Sequence, residues 1–131
     1  AMVASWASQA SFSPPGITVA VAKDRAIESF MQVNKTFVIN ILREDNFQKM
    51  FRHFLKRFAP GADRFADVDI IKDLAKGGPV LSDALAFLDC KVVSRLETPD
   101  HWIIYGIVEN GSVSDLTCKT AVHHRKVANH Y

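Results

Sequence analysis

The period of apolar and polar positions changes several times along the chain, and each change marks an element. Residues 2–12 alternate as a strand does, with Ser5, Ser8, Gln9 and Ser11 set among apolar residues, until Pro14, Pro15 and Gly16 close the run. Residues 17–22, ITVAVA, are apolar on both faces and predict a central strand. In KDRAIESFMQ, Ile27, Phe30 and Met31 share one helical face, and Asp24 suits the N-cap. Residues 36–42, TFVINIL, predict a third buried strand. The clearest helical pattern is 46–58, where Phe47, Met50, Phe51, Phe54, Leu55 and Phe58 form one apolar stripe with Lys49, Arg52, Lys56 and Arg57 off it. Asn46 is the expected cap, and Pro60 and Gly61 the stop. Residues 61–79 read as irregular, and 84–96 as a long strand, bent or bulged. HWIIYGIVE, Asn110-Gly111 and SVSDLTC together predict a hairpin, since Asn-Gly tolerates the positive φ of a type I′ turn. About six strands and two helices, with strands consecutive near the end, predict a small antiparallel or mixed barrel with packed helices rather than a doubly wound sheet.

Composition narrows the class. A chain of 131 residues that is 48% hydrophobic is one domain with a real core. Its net charge of +2 argues against a nucleic-acid partner. Two cysteines, Cys90 and Cys118, are too few for a disulfide framework and point to a reducing, cytoplasmic compartment. No apolar run reaches the roughly 20 residues of a membrane-spanning helix, and the first residues lack the basic and apolar regions of a signal peptide.

Each candidate for chemistry has a plain structural alternative. The serines and Gln9 of the opening stretch fit an edge strand with a solvated face; they also fit hydrogen bonding to the edge of a planar polar heterocycle, with Trp6 packed near its ring. Lys23 and Arg25, at the start of a helical segment, suit a phosphate group or ordinary surface charge. There is no Gly-rich loop of the P-loop or dinucleotide type. The Phe-rich stripe of 46–58 reads as core rather than as a membrane or nucleic-acid surface. His123 and His124, adjacent on a strand, would point to opposite faces; with no HExxH and no CxxC, no metal site is expected. Cys90, within a strand pattern, reads as an inert buried thiol. His101, beside Asp100 at the start of a strand, is placed to orient a ligand or move a proton, or is a surface histidine near a turn. No Ser-His-Asp, Cys-His or paired-carboxylate arrangement stands out.

Several stretches in order resemble the flavin reductase-like family, the FMN-binding split barrels: ASWASQASFSPPG, KDRA with FVINIL, FAPGADRF, and PVLSDALAFLDCKVVSRLETPDHWIIYGIVENG. VASWASQASFSPPG, VAKDRAIESF, HFLKRFAPGADRF and TAVHHRKVANHY are most similar to the C-terminal flavin-reductase domain of long flavodiiron proteins from oxygenic phototrophs. The resemblance implies a mainly β fold with helices, a split β-barrel lacking one or more N-terminal strands, in a chain that is the C-terminal segment of a longer protein and ends naturally at Tyr131. It implies that Ser5, Trp6, Ser8, Gln9 and Ser11 lie along FMN, that Lys23 and Arg25 hold its phosphate, and that His101 sits near its reactive face. Thr98-Pro99 precede Asp100 where many relatives carry a glycine, which weakens the transfer to His101. His123, His124, Arg125 and Tyr131 are candidate pocket residues without assigned roles. The implied activity is hydride transfer from NAD(P)H to FMN, feeding a diiron site that reduces oxygen to water in full-length relatives; the alternative is a non-catalytic FMN-binding or assembly module. Implied partners are flavodoxin-like and diiron domains and a second copy of the chain, with no nucleic acid and no membrane. The location is cytoplasmic, or a plastid stroma. Arg52, Lys56, Arg57, Arg64 and Arg125 are candidates for the 2′-phosphate that separates NADPH from NADH.

Overall fold

The chain first reverses at Ser13-Pro14, joining β1 (Ala7–Phe12) to β2 (Pro15–Ala22) as an antiparallel pair, with Pro15 and Gly16 already in β2. The computed structural model describes residues 1–122 and 124. A 3-10 turn (Ala26–Phe30) leads into β3 (Thr36–Leu42) and α1 (Phe47–Phe54). Two short strands follow, β4 (Ile70–Ile71) and β5 (Val80–Leu81), and then two long ones, β6 (Ala84–Glu97) and β7 (His101–Val113). Five strands form one antiparallel sheet in the order β1-β2-β7-β6-β3, while β4 and β5 pair separately. The chain is mainly β and its sheet is open, as the split-barrel expectation requires.

Alternation fixes which residues meet. Val19 and Val21 of β2, Phe37 of β3, Cys90 and Val92 of β6 and Ile104 of β7 bury one face, closed at one end by Met31. A second cluster joins Met50 of α1, Val68, Leu81 and Ala84 at the opposite end. There the sheet is covered on both faces, so β6 is buried almost continuously from Ala84 to Val92; from Val93 to Glu97 one face is open. The covering loop is pinned by polar groups. Asp89, 4% exposed, accepts the backbone N–H of Lys76 and Gly77 at 2.8 and 2.9 Å. Asn40 donates to Pro79 O and accepts from Leu81 N. A Cβ on Gly77 would lie 2.3 Å from the Phe37 carbonyl carbon, so only glycine allows this approach.

Four expected elements differ. Asn110-Gly111 is not a turn: β7 runs through it, with Asn110 opposite Asp89 and Gly111 opposite Leu88. The glycine serves close strand contact, because a Cβ there would lie 2.8 Å from Phe87 O. The reversal falls instead at 98–100, where Thr98 Oγ1 donates to His101 O and accepts from His101 N. The segment after Asp24 forms a short 3-10 turn rather than an α-helix, and neither Asp24 nor Asn46 makes a capping bond. Finally, α1 stops at Phe54, and the chain bends so that Phe58 packs on His53 and beneath Arg64. Of the stripe only Met50 is fully buried. The first strand also begins at Ala7, later than residue 2. His123, Arg125 and Tyr131 lie outside the described residues.

Candidate functional site

The candidate residues gather at the end of the sheet where β2 stops and β7 starts. Ala22 lies opposite His101 and Val21 opposite Trp102, and Ala20 N donates to Trp6 O at 2.9 Å. Successive strand residues point to opposite faces. His101 therefore shares a face with Trp6, and their rings lie 5.1 Å apart, tilted by 40°. Trp102 falls on the other face, against the core cluster. There Lys23 Nζ lies 5.5 Å and Arg95 Cζ 4.0 Å from the indole centroid. The two faces meet at a rim where Lys23 N donates to Asp100 O at 3.0 Å.

Charge at this rim is paired. Lys23 Nζ contacts Glu97 Oε1 at 2.7 Å, Arg25 Nε lies 3.6 Å from Asp24, and Arg95 Nη2 bonds Glu28 of the 3-10 turn. His101 Nδ1 bonds Asp100 Oδ1 at 2.8 Å. That bond holds the Asp100 carboxyl below its ordinary value, helped by the nearby charge of Lys23. An ionised carboxylate only accepts, so Nδ1 carries the proton and Nε2 is the ring atom left to accept a hydrogen bond or a proton.

The sequence candidates divide accordingly. Trp6, half-exposed, and exposed Ser8 follow the His101 face along β1. Gln9, opposite Ile17, points the other way. Ser5 is exposed just ahead of the strand. Ser11 acts locally, pinning the β1–β2 turn with a hydroxyl that donates to Pro14 O at 2.7 Å and lies 3.0 Å from Tyr105 Oη. Of the cations considered for a 2′-phosphate, Arg52 donates to Gln48 O and Arg64 to Ala1 O. Sequence reasoning passed over Trp102, Arg95, Glu97 and Glu28. Strand alternation was the available signal for two of them, since Arg95 and Glu97 are two apart at the end of a long strand and share a face. A recess of about 500 Å³ lined by Asp73, Lys76, Asp89, Glu109 and Asn110 lies elsewhere and holds none of the candidates. Among the described residues no group of three or more His, Cys, Asp or Glu could hold a metal ion, and no helix is long and apolar enough to cross a membrane.

A half-exposed Trp6 beside a largely buried His101, strand-borne hydroxyls and two cations around one rim make a donor set that fits a planar heterocycle carrying a phosphate. The flavin reductase like domain matches residues 1–129. The chain belongs to that family. Diflavin flavoprotein A 1 of Synechocystis sp. is 63% identical over all 131 residues, and the chain spans only 23% of that protein's length. The flavin reductase like fold recurs in the solved NADH:FAD oxidoreductase SgcE6 of Streptomyces globisporus, 28% identical, with a TM-score of 0.81 over 91% of this chain and 70% of that one. The same protein with NAD and FAD fragments superposes at a TM-score of 0.79 and 26% identity, over 91% of this chain and 69% of that one.

Proposed function

We propose that this chain is an NAD(P)H:flavin oxidoreductase domain that binds FMN at the β2–β7 rim. One observation carries the reading: the Lys23 N–Asp100 O bond joins a cationic turn to the strand start that bears His101, so one ligand can engage both. Trp6 and the β1 hydroxyls Ser5 and Ser8 would lie along the ring system, with Gln9 and Ser11 holding the strand and its turn. Lys23 and Arg25 would hold the phosphate as charge-assisted partners. FMN, when bound, accepts a hydride from the nicotinamide and passes electrons on. His101, oriented by Asp100, lies on the face that carries Trp6, where it would steady a stacked nicotinamide. Positioning of two rings needs no nucleophile or acid–base triad, which suits this set of side chains.

In a longer protein of the diflavin flavoprotein type, the chain would be the C-terminal domain. It would deliver electrons through a flavodoxin-like domain to a diiron site that reduces oxygen to water, in the cytoplasm and as a homodimer. The test titrates the chain with FMN, following flavin fluorescence, and then adds NADPH or NADH. Tight binding followed by bleaching of the flavin absorbance is expected. Binding without bleaching would replace the reductase reading with that of a flavin-binding module. Replacing Lys23 and Arg25 together by Ala is expected to weaken FMN by about ten-fold or more and to leave riboflavin nearly unchanged. Equal weakening would remove the phosphate role.

A further inference from the structure

Arg95 is an unusual residue to find on the core-facing side of β6. It lies opposite Ile104, which is fully buried, and one inward position beyond Val92. Its side chain is only 10% exposed. The guanidinium stacks on Trp102 at 4.0 Å and pairs with Glu28, while its Nε has no hydrogen-bond partner. A buried ion pair is poor evidence of stabilisation, since an apolar residue at the same place often does as well; its better-attested use is to fix one geometry. An inward position on a strand, packed against an indole, would take Leu or Met without difficulty.

The geometry in question is that of the 3-10 turn. Ala26–Phe30 contains no fully buried residue, and its apolar anchorage comes from the partly buried Ile27 and the neighbouring Met31. Short turns with little buried surface hold their position weakly. Glu28 is the turn's polar tie to the sheet, and Glu28 N donates to Arg25 O at 2.9 Å. Arg95 therefore holds Glu28, and Glu28 holds the backbone of Arg25. At the other end, Lys23 N is held by Asp100 O. The dication turn is clamped from both sides, and the Arg95 clamp reaches it from a strand that carries none of the proposed ligand contacts.

We propose that Arg95 is a positioning residue for the phosphate half of the flavin site, acting through Glu28 to fix the turn that carries Lys23 and Arg25. The inference rests on the FMN reading above. It excludes direct contact between Arg95 and the ligand and assigns Arg95 an effect on phosphate discrimination rather than on ring binding.

The experiment measures FMN and riboflavin affinities by fluorescence titration of the 131-residue chain and of R95M, R95K and the double variant E28Q/R95M, with thermal melts alongside. The double variant removes both charges, so it reports even where R95M alone, with Glu28 left unpaired, fails to fold. In R95M and E28Q/R95M the FMN-over-riboflavin preference is expected to fall about ten-fold while riboflavin affinity stays within two-fold. R95K, which keeps the charge but not the planar fork, should restore part of the preference. A folded double variant with the full preference would overturn the positioning role, as would loss of FMN and riboflavin affinity in parallel, which is what a purely structural role predicts. A wild-type chain that binds FMN and riboflavin equally would instead overturn the phosphate reading itself, and this inference with it.

Discussion

Replacing Glu97 by Gln should tighten FMN. Lys23 Nζ sits 2.7 Å from Glu97 Oε1, with the lysine side chain 33% and the glutamate side chain 63% exposed. Pairs this open to solvent contribute about 0.2–1 kcal/mol. A phosphate that engages Lys23 must offset that contact. At about 1.4 kcal/mol per ten-fold in affinity, removing it gains about 1.5- to 5-fold. The substitution also removes a negative charge close to an incoming dianion, an effect of the same sign. We therefore expect FMN to bind about two- to five-fold more tightly at low ionic strength. The gain should shrink as salt rises, because the screening length falls from about 10 Å at 0.1 M to about 3 Å at 1 M. The assay is a fluorescence titration with FMN at two salt concentrations, with riboflavin as the control that lacks the phosphate. Weaker FMN binding by E97Q would refute the reasoning, since Glu97 would then be supporting Lys23 rather than competing for it. Equal tightening of riboflavin would refute it too, by placing the effect on the ring rather than the phosphate.

Two further outcomes concern the frame that carries the site. Replacing Asp89 by Ala leaves the amides of Lys76 and Gly77 without their buried acceptor and should cost about 2–4 kcal/mol in a denaturant titration; a loss below about 0.5 kcal/mol would mean that the loop re-forms its bonds elsewhere. Burial pushes the Cys90 thiol up to about 12, helped by the charges of Asp89 and Glu109. A raised value gives full stability below the ordinary thiol value near 9 and loses it as pH rises towards 12. Stability should therefore decline across that alkaline window, and a thiol reagent at neutral pH should label Cys118 rapidly and Cys90 only on unfolding; fast native labelling of Cys90 would contradict its burial.

Legibility in the sequence followed local signal. Residues 17–22, 36–42 and 84–96 announced themselves by apolar density, and each is a strand; β2 and the first half of β6 are buried on both faces, whereas β3, at the sheet edge, fully buries only Phe37. The end of the first strand at the double proline was equally plain, although Pro15 and Gly16 belong to β2 rather than to the turn. Asn110-Gly111 misled because a glycine permits two different things, a left-handed turn or a close cross-strand approach, and only the pairing of Gly111 with Leu88 separates them. The turn at 98–100 lies where the predicted strands 84–96 and HWIIYGIVE leave it, but the Thr98 hydroxyl that closes it is a single side chain whose role no periodicity reports. At the site, Trp6, Lys23 and His101 were identified one at a time, and the structure brings them to one rim. Glu97, which pairs with Lys23, and the Arg95–Glu28 pair beside Trp102 were not, because each of these residues looks like ordinary surface charge in the sequence.

That difference bears on how the chemistry is built. Hydride transfer between two bound rings asks the protein for placement rather than for reactive side chains. Placement is carried by contacts whose individual residue types are commonplace. Trp102 shows how: the indole packs against the core cluster from β7, the central strand, and two cations, Arg95 of β6 and Lys23 just after β2, lie within reach of its ring. Each cation is joined in turn to a carboxylate, Arg95 to Glu28 and Lys23 to Glu97. These two pairs differ in burial, and the difference predicts opposite behaviour. The solvated Lys23–Glu97 pair is weak and can yield to a phosphate, so removing its carboxylate should free the lysine proposed to bind it. The mostly buried Arg95–Glu28 pair cannot yield without leaving an unpaired charge against the core, so removing its arginine should loosen the turn proposed to hold the phosphate. On the proposed site, two salt bridges around one indole should therefore act with opposite signs on one affinity, and measuring E97Q and E28Q/R95M side by side tests both signs against a single ligand.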